Sequence, residues 1–257
     1  MTWPFRSRSA ASLRRRPPAI AEPEDLVMLD TLDPKLVVHH DPTGRAAEQY
    51  RALRTNLRAT NPGRQPRALL FTSAEAGVGK SVSVGNLALA MAECDDVKVC
   101  LVDADLRAAG LSELFGVDDA PGLAEILLER RDPERMLFPT GRANLQVLPA
   151  GKPGLDPSQA LASTHLPELV AWLKRRYLYV LVDCAPVLLF SDAGELGKVA
   201  DGSILTVSLG GTFKSEADRA LAQLRSAGAT VIGTLVTGAE SSLDGAYDPY
   251  QYADAGA

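Results

Sequence analysis

Cysteine is scarce in this chain of 257 residues, which contains only Cys94, Cys100 and Cys184. Their number is odd and no two of them form a C-x-x-C pair, so the sequence predicts neither a disulfide framework nor a zinc site. Long apolar runs are also missing, because no stretch approaches the roughly 18 residues that a membrane-spanning helix needs. The opening sequence, MTWPFRSRSAASLRRRPP, carries charges where a signal peptide has its apolar stretch, so we expect a cytoplasmic protein.

Positive charge is not in excess either. The chain has 27 Lys and Arg against 32 Asp and Glu, for a net charge of -5, and we expect no specific nucleic-acid partner. With 46% hydrophobic and 23% charged residues, the composition is that of an ordinary globular protein. It excludes collagen-like, coiled-coil and wholly disordered chains.

The composition divides the chain into three parts. Residues 1–35 mix Arg, Pro, Ala and Glu without periodicity, and we expect a flexible Arg/Pro-rich arm. Such an arm either is a solvated tail or touches anionic lipid or nucleic acid. Residues 36–238 are expected to form one folded domain. Residues 239–257 are acidic and rich in turn formers, and we expect a disordered tail.

Apolar runs typical of buried strands alternate with helical segments from residue 68 onward. Strands are predicted over residues 68–72, 97–103, 145–148, 177–183, 203–207 and 230–236. Helices are predicted over residues 80–93, 123–129, 156–163, 166–175 and 214–226. Continuous apolar strands that alternate with helices indicate a parallel sheet covered on both faces. The predicted fold class is therefore α/β, with a mostly parallel central sheet and helices on both faces.

A further helix is predicted before the first strand, over residues 41–60. Within it Ala46, Tyr50, Leu53 and Leu57 recur at i, i+4, i+7 and i+11. This spacing is typical of the buried stripe of an amphipathic helix.

A phosphate-binding loop is predicted between the first strand and the helix that follows it. The sequence SAEAGVGKS matches the G-x-x-x-x-G-K-[ST] pattern except at its first position, where Ala74 stands. Small residues allow successive backbone N–H groups to wrap phosphates at a helix N-terminus. We expect Lys80 to reach the β- and γ-phosphates of ATP and Ser81 to give its hydroxyl to Mg²⁺. The residues expected to contact the nucleotide are Ala76, Gly77, Val78, Gly79, Lys80, Ser81 and Val82.

Two later strands end in carboxylates, at the edge of the sheet where ligands of open parallel sheets bind. Asp183 is predicted to hold Mg²⁺ together with Ser81. Asp103 is predicted to orient or deprotonate an attacking hydroxyl, and Asp105 to support the metal shell, although either acid can instead cap a helix or lie on a solvated rim. Arg107 either neutralises charge on a phosphoryl group or forms a surface ion pair.

Six segments carry a resemblance to a known family. They are EQYRALRTNLR, SAEAGVGKS, VCLVDADLR, PGLAEILL, LPAGKPGLDPSQAL and YLYVLVDCAPVLLFSDA. In this order, over residues 36–238, they are similar to the bacterial tyrosine kinases of the polysaccharide-biosynthesis type. The resemblance implies a P-loop ATPase fold of the deviant-Walker, partitioning-ATPase-like kind, with ATP and Mg²⁺ as cofactors.

The resemblance also implies roles for individual residues. Lys80 and Ser81 match the Walker A loop of the family, Asp103 and Asp105 match its Walker A′ acids, and Asp183 matches its Walker B acid. These residues are therefore expected to form the catalytic site of a non-specific protein-tyrosine kinase.

The sequence E-x-x-R-x-x-R, formed by Glu48, Arg51 and Arg54, matches the motif by which family members assemble into rings. At about 100° per residue the three side chains share one broad helix face, so ion pairs between subunits are geometrically possible. The alternative is a Glu48–Arg51 pair within one solvated helix face.

The tail supplies candidate phosphate acceptors, Tyr247, Tyr250 and Tyr252, which the resemblance implies are phosphorylated by a neighbouring subunit. Aromatic residues in such a tail can also be incidental or a docking motif.

The resemblance further implies partners for the kinase. One is a membrane activator of the chain-length-determinant (co-polymerase) class, which would recruit the kinase to the inner face of the cell membrane, and another is a tyrosine phosphatase. The pathway that the resemblance implies is the control of polysaccharide synthesis or export.

Several positions depart from the family pattern, and two other functions remain open. Cys184 and Ala185 stand where the family often has Thr and Pro, and Thr237 stands where related ATPases often have Asn near the adenine.

One alternative function is a nucleotide-switch ATPase of the partitioning or positioning type. Those relatives carry a lysine where this chain has Glu75. The other alternative is a degenerate nucleotide-binding regulatory subunit.

Overall fold

The computed structural model describes residues 32–152 and 157–239, and its centre is a seven-stranded sheet. The strands are β1 Arg67–Ser73, β2 Val99–Asp103, β3 Phe138–Pro139, β4 Leu145–Leu148, β5 Tyr179–Asp183, β6 Gly202–Ser208 and β7 Val231–Thr237. Their spatial order is β3-β4-β2-β5-β1-β6-β7. All neighbouring strands pair in parallel except β3 and β4, which are antiparallel.

Two helices precede the first strand, and the others lie between strands along the chain. They are α1 Val37–His40, α2 Arg45–Ala59, α3 Lys80–Ala92, α4 Gly110–Leu114, α5 Leu123–Glu129, α6 Pro157–Leu161, α7 Leu166–Lys174, α8 Asp192–Val199 and α9 Lys214–Ser226. A 3-10 turn covers Pro133–Met136. In the described ranges no helix is both long and apolar enough to cross a bilayer.

Two apolar cores cover the two faces of the sheet. Successive residues of β1 point to opposite sides, so that Leu70 packs in one core with Trp172, and Phe71 packs in the other with Leu89. Strands β2 and β5 are buried at every position. Such strands are typical of a parallel sheet with helices on both faces, and the predicted fold class is confirmed.

Helix α3 lies inside the molecule, since every residue from Ser83 to Ala92 is buried. Helix α2 packs over it from the solvent side, with Ala47 and Leu57 buried and Tyr50 half-buried. The predicted stripe is wrong at its first position, because Ala46 is exposed and Ala47 takes the inward place.

The packed part of the chain begins earlier than residue 36. Leu32 is 3% exposed and belongs to the same core as α1 and α3. At the other end the description stops at residue 239, so the predicted acidic tail lies outside the described residues, as does most of the predicted N-terminal arm.

Candidate phosphate-binding and active site

The predicted phosphate loop connects β1 to α3, and its backbone has the conformation that a phosphate cradle needs. Gly77 and Gly79 both have φ of 81°, in the left-handed region that favours glycine. Ala76 and Gly77 are exposed, while Val78 is buried and Val82 is half-buried. The loop thus presents open backbone at the N-terminus of a thirteen-residue helix, where the helix dipole favours anions.

Thr237, the last residue of strand β7, holds the phosphate loop in place. The hydroxyl of Thr237 donates a hydrogen bond to the carbonyl of Val78 at 2.6 Å. The same hydroxyl lies 3.3 Å from the carbonyl of Val207 on β6. Thr237, which departs from the pattern of related ATPases, therefore supports the loop through its hydroxyl.

Lys80 is the first residue of α3 and its ammonium group is buried among carboxylates. Its Nζ lies 2.6 Å from Oδ1 of Asp183 and 3.9 Å from Oδ2 of Asp105. Burial alone would lower the pKa of Lys80, but the charge of Asp183 and the hydrogen bond to it outweigh burial and raise the pKa above its ordinary value. Lys80 is therefore a cation held inside the site.

Asp183 ends β5 and is fully buried. Its second oxygen, Oδ2, accepts a hydrogen bond of 2.6 Å from the hydroxyl of Ser81. The structure therefore brings Lys80, Ser81 and Asp183 into direct contact, with Asp105 beside them. The contact arises because β1 and β5 are adjacent parallel strands whose carboxyl ends lie at one edge of the sheet.

Asp103 ends β2 directly opposite Asp183 in the strand register, and it is 0% exposed. Its Oδ2 accepts hydrogen bonds from the backbone N–H and the hydroxyl of Ser112, and its Oδ1 accepts one from the N–H of Asp105. Burial and the neighbouring Asp183 raise the pKa of Asp103 to about 7. Because both oxygens are engaged within the protein, Asp103 fixes the loop between β2 and α4.

Asp105 is 7% exposed, and its backbone follows β2 into that loop. Together with Ser81 and Asp183 it forms a set of oxygen donors. Magnesium prefers oxygen ligands and often takes only one or two carboxylates beside substrate phosphates. Residues 32–152 and 157–239 contain no group of three or more His, Cys, Asp or Glu side chains arranged to hold a metal ion. The donor set fits a cation that is coordinated largely by nucleotide phosphates.

Arg107 is paired inside the chain. Its Nε lies 3.0 Å from Oδ2 of Asp192, the first residue of α8, and its guanidinium stacks 4.1 Å above the ring of Phe190. Asp192 is 0% exposed, and the hydroxyl of Ser158 bonds to its Oδ1 at 2.9 Å. Of the two roles that the sequence left open for Arg107, the structure shows an ion pair, with a buried partner.

Arg107→Ala is expected to lower the free energy of unfolding by roughly 3 kcal/mol, because it leaves the Asp192 carboxylate buried without its cation. Urea unfolding followed by circular dichroism measures the change. Arg219→Ala, which removes an exposed arginine from α9, is the control and should change it by less than about 0.5 kcal/mol. Equal stability of the two variants would contradict this assignment.

The remaining predicted residues lie elsewhere. Glu48, Arg51 and Arg54 are on α2, where the two arginines contact Glu93 at the C-terminal end of α3. That end is about 20 Å from Lys80, at 1.5 Å per helical residue. The predicted phosphate acceptors lie outside the described residues; they are Tyr247, Tyr250 and Tyr252.

Sequence patterns missed several residues that hold this region together. They are Ser112, which binds Asp103, Asp192, which binds Arg107, and Glu93, which binds Arg51 and Arg54. Only Asp192 carried a local signal, since S-D at the start of a helical segment is a helix-start pattern.

Cys184 is fully buried, and burial raises the pKa of its thiol well above the usual value, so it is an inert core residue.

Comparison with known proteins gives a consistent picture. A family model described as an AAA domain matches residues 67–210. The chain is 34% identical over 210 residues to tyrosine-protein kinase YwqD of Bacillus subtilis, covering 82% of this chain and 88% of that protein. It is 29% identical over 222 residues to tyrosine-protein kinase wzc of Salmonella typhimurium, covering 85% of this chain but only 31% of that longer protein.

Two solved structures show the same architecture. The kinase domain of Escherichia coli tyrosine kinase ETK superposes with a TM-score of 0.76 at 30% identity, covering 84% of each chain. The septum site-determining protein MinD of Pyrococcus horikoshii, solved with Mg-ADP, superposes with a TM-score of 0.55 at 28% identity, covering 66% of this chain and 69% of that one. The fold is therefore similar both to a tyrosine kinase domain and to a positioning ATPase.

Proposed function

This chain belongs to the bacterial tyrosine-protein kinases, and from that membership we propose that it transfers the γ-phosphoryl group of ATP to tyrosines in its own C-terminal tail. The observation that carries the proposal is the contact of Lys80 and Ser81 with Asp183, at the start of a helix that follows a glycine loop. A cation, a hydroxyl and a carboxylate meet where the phosphates of a nucleotide would lie.

The loop and Lys80 bind and orient the nucleotide. Backbone N–H groups from Ala76 to Val82 wrap the phosphates, with the two glycines providing the positive φ angles. Lys80 exchanges its contact with Asp183 for the β- and γ-phosphate oxygens and neutralises charge as the phosphoryl group moves. Ser81, Asp105 and Asp183 would hold Mg²⁺, which would supply charge neutralisation for the phosphates.

The phosphoryl transfer needs a proton acceptor. The tyrosine oxygen forms a bond to the γ-phosphorus, the bond from that phosphorus to the bridging oxygen of ADP breaks, and the phenolic proton passes to a carboxylate. Asp103 is the candidate for this role, because Asp105 is used as a Mg²⁺ ligand and its Oδ1 already accepts a hydrogen bond from the N–H of Ala108. Hydrogen bonds from Ser112 and from the Asp105 N–H orient the Asp103 carboxylate, and burial together with Asp183 raises its pKa to about 7, close to the value that suits a base. We assign proton acceptance to Asp103 and a place in the metal shell to Asp105.

The acceptors are Tyr247, Tyr250 and Tyr252, and the transfer occurs between subunits of a ring. Three of the six tyrosines of the chain fall in its last eleven residues. Each phosphate adds about 1.5 to 2 negative charges to an acidic tail, which favours its release from the neighbouring subunit. The ring contact involves the α2 motif that begins at Glu48.

The wider setting follows from the family resemblance. The folded domain, predicted over residues 36–238 and extended by the packing of Leu32, lies between an N-terminal arm and an acceptor tail of residues 239–257. A membrane activator of the chain-length-determinant class recruits the kinase to the inner face of the cell membrane, and a tyrosine phosphatase reverses the reaction. The pathway controlled is polysaccharide synthesis or export.

Phosphosite mapping by mass spectrometry tests this proposal. The purified full chain is incubated with Mg-ATP, with and without a membrane extract of its host. Peptides from the tail are then analysed for phosphorylated tyrosine. Phosphate on Tyr247, Tyr250 or Tyr252 is expected. Release of ADP without any phosphotyrosine would overturn the proposal.

That contrary result would favour a nucleotide-switch ATPase, which the likeness to MinD supports. Glu75 argues against this alternative. It places a negative charge in the phosphate loop, where the switch ATPases carry a lysine. Binding of nucleotide without turnover would instead favour a regulatory subunit.

A further inference from the structure

The chain ahead of α2 is packed against two helices of the site. Residues 32–40, which we call the N-terminal segment, contain α1 and bury three apolar side chains. Leu32 is 3% exposed, and Leu36 and Val38 are 0% exposed. All three belong to the core that also contains buried residues of α3 and α4. The N-terminal segment is therefore part of the folded domain.

Helix α3 receives this segment at a position that has no side chain. Gly85 lies about one and a half turns beyond Lys80, the first residue of α3. A Cβ at this position would lie 2.9 Å from Cδ2 of Leu36 and 3.2 Å from Cε2 of Phe115. Cδ1 of Leu111 lies 3.7 Å from the same point. The N-terminal segment and the α4 region thus meet over one spot on α3.

Asn86 fastens the N-terminal segment to α3 and is 0% exposed. Its Oδ1 accepts a hydrogen bond of 2.9 Å from the N–H of Val38, and its Nδ2 donates one of 2.9 Å to the carbonyl of Lys35. The same Nδ2 donates to the carbonyl of Val82, in the first turn of α3. One buried amide therefore joins the segment to the helix that begins at Lys80.

The N-terminal segment also contacts α4. The N–H of Asp33 donates a hydrogen bond of 3.1 Å to the carbonyl of Leu114, the last residue of α4. Leu36 shares its place against α3 with Leu111 and Phe115, which are both 0% exposed. Shortening Leu36 would leave a cavity between α3 and α4, and α4 would lose its support on that side.

Helix α4 connects the two halves of the site. A Cβ on its first residue, Gly110, would lie 3.6 Å from the hydroxyl oxygen of Ser81. Two residues later, Ser112 donates hydrogen bonds to Oδ2 of Asp103 from its backbone N–H at 2.7 Å and from its hydroxyl at 2.8 Å. The position of α4 therefore sets the separation between Asp103 and the helix that begins at Lys80.

We infer that Leu36 and Asn86 are positioning residues for phosphoryl transfer, because they dock residues 32–40 between α3 and α4 and so fix Asp103 relative to the phosphate loop. The inference rests on the proposed function, in which Asp103 accepts the phenolic proton. Leu36 and Asn86 act through α3 and α4. The chain ahead of α2 is thus a structural component of the active site.

Substitutions of Leu36 in the full chain test this role. Leu36→Ala removes its contact with α4, and Leu36→Met keeps the apolar bulk. Leu36→Val, a smaller truncation, covers the case in which Leu36→Ala does not fold. Leu224→Ala is the matched control, since Leu224 is also 0% exposed but lies in α9, in the core on the other face of the sheet.

Four quantities are measured for each variant. They are Tm, the Kd for Mg-ADP by titration calorimetry, kcat for tail phosphorylation, and amide hydrogen exchange over residues 110–115. Hydrogen exchange reports whether α4 is held in place, and it does so without any phosphoryl transfer. The comparison of kcat with Kd separates the placement of Asp103 from nucleotide binding.

Leu36→Ala should lower kcat by at least about tenfold, because a small displacement of a catalytic group is enough for such a loss. Exchange over residues 110–115 should become at least about tenfold faster. The Kd for Mg-ADP should change by less than about threefold, since the phosphate loop keeps its own supports. Leu36→Val should show the same changes to a smaller extent.

The remaining variants define the cause. Leu36→Met should restore kcat and hydrogen exchange to near wild-type values, because it refills the space beside Gly85. Asn86→Ala, which removes both hydrogen bonds to the segment, should change kcat and hydrogen exchange in the same direction as Leu36→Ala. Leu224→Ala should lower Tm as Leu36→Ala does, and keep wild-type kcat and wild-type exchange over residues 110–115.

Several results would overturn the inference. Unchanged hydrogen exchange over residues 110–115 in Leu36→Ala would show that the segment does not hold α4. Equal losses of kcat in Leu36→Ala and Leu224→Ala would reduce the effect to a general loss of stability. A Kd for Mg-ADP that weakens as much as kcat falls would place the effect on the phosphate loop and not on Asp103.

Failure of the proposed function itself would look different. A wild-type chain that forms no phosphotyrosine would refute the proposed kinase reaction, and the positioning of its proton acceptor with it. Hydrogen exchange in Leu36→Ala and Asn86→Ala would still decide whether residues 32–40 hold α4 against α3.

Discussion

Lys80→Met is expected to lower the rate of tail phosphorylation by at least about 100-fold. The ammonium group of Lys80 is the buried cation that contacts Asp183 and lies beside Asp105, and methionine keeps most of the apolar chain while removing the charge. Without that charge the γ-phosphoryl group loses a stabilising contact during transfer. Incubation with Mg-ATP, followed by phosphotyrosine quantification in the tail, measures the effect.

The same substitution affects folding, because it leaves Asp183 buried without its cation. Loss of activity therefore has to be separated from loss of structure. Lys80→Arg keeps a positive charge beside Asp183, so its Tm should stay closer to that of wild type, but its planar guanidinium cannot place a point charge where the ammonium was. We expect Lys80→Arg to be folded and still strongly impaired.

Lys152→Met serves as the matched control, since the Lys152 side chain is 68% exposed. It should retain wild-type phosphorylation. Undiminished phosphotyrosine in Lys80→Met would show that another site carries the reaction, and it would overturn the assignment of the glycine loop as the phosphate cradle.

Most of the sheet was predictable from the sequence. Strands β1, β2, β4, β5 and β6 are buried or half-buried apolar runs, and a continuous apolar run bounded by turn formers is a strong local signal. Strand β7 was found from the same signal although four of its seven residues are exposed. The outer strand β3 was missed because Phe138–Pro139 is only two residues long and pairs antiparallel at the edge. A pair of that length leaves no periodicity in the sequence.

Short helices were missed for the same reason. Helices α1 and α4 have four and five residues, less than the two turns over which an apolar stripe becomes visible. Helix α2 was found but its inward face was predicted one residue too early, at Ala46 and not at Ala47. A one-residue error is easily made with alanines, which are compatible with either face.

The phosphate loop and its acids were predictable because each of them follows a strand in the sequence, and adjacent parallel strands bring their carboxyl ends together. Lys80, Asp105 and Asp183 therefore lie close together in space as expected. The partners of Asp103 and Arg107 were not predictable, because Ser112 lies in a separate short helix and Asp192 is 85 residues beyond Arg107. Only the fold brings such distant polar residues into contact.

A second prediction with a large effect separates transfer between subunits from transfer within one. A donor chain in which Tyr247, Tyr250 and Tyr252 are all changed to Phe keeps the site and lacks acceptors. An acceptor chain with Lys80→Met keeps the tyrosines and lacks the cation. Each chain alone should show almost no tail phosphotyrosine, and a mixture with Mg-ATP should raise it on the acceptor chain by at least about 100-fold.

Labelling the acceptor chain with a heavy nitrogen isotope identifies which chain receives phosphate. Adding Glu48→Gln to both chains should reduce the restored signal if the proposed ring uses the α2 contact between subunits. A mixture that stays unphosphorylated, while wild type alone is phosphorylated, would show that each subunit modifies only its own tail. The phosphate loop would then keep its role as the donor site, and the ring would lose its role in catalysis.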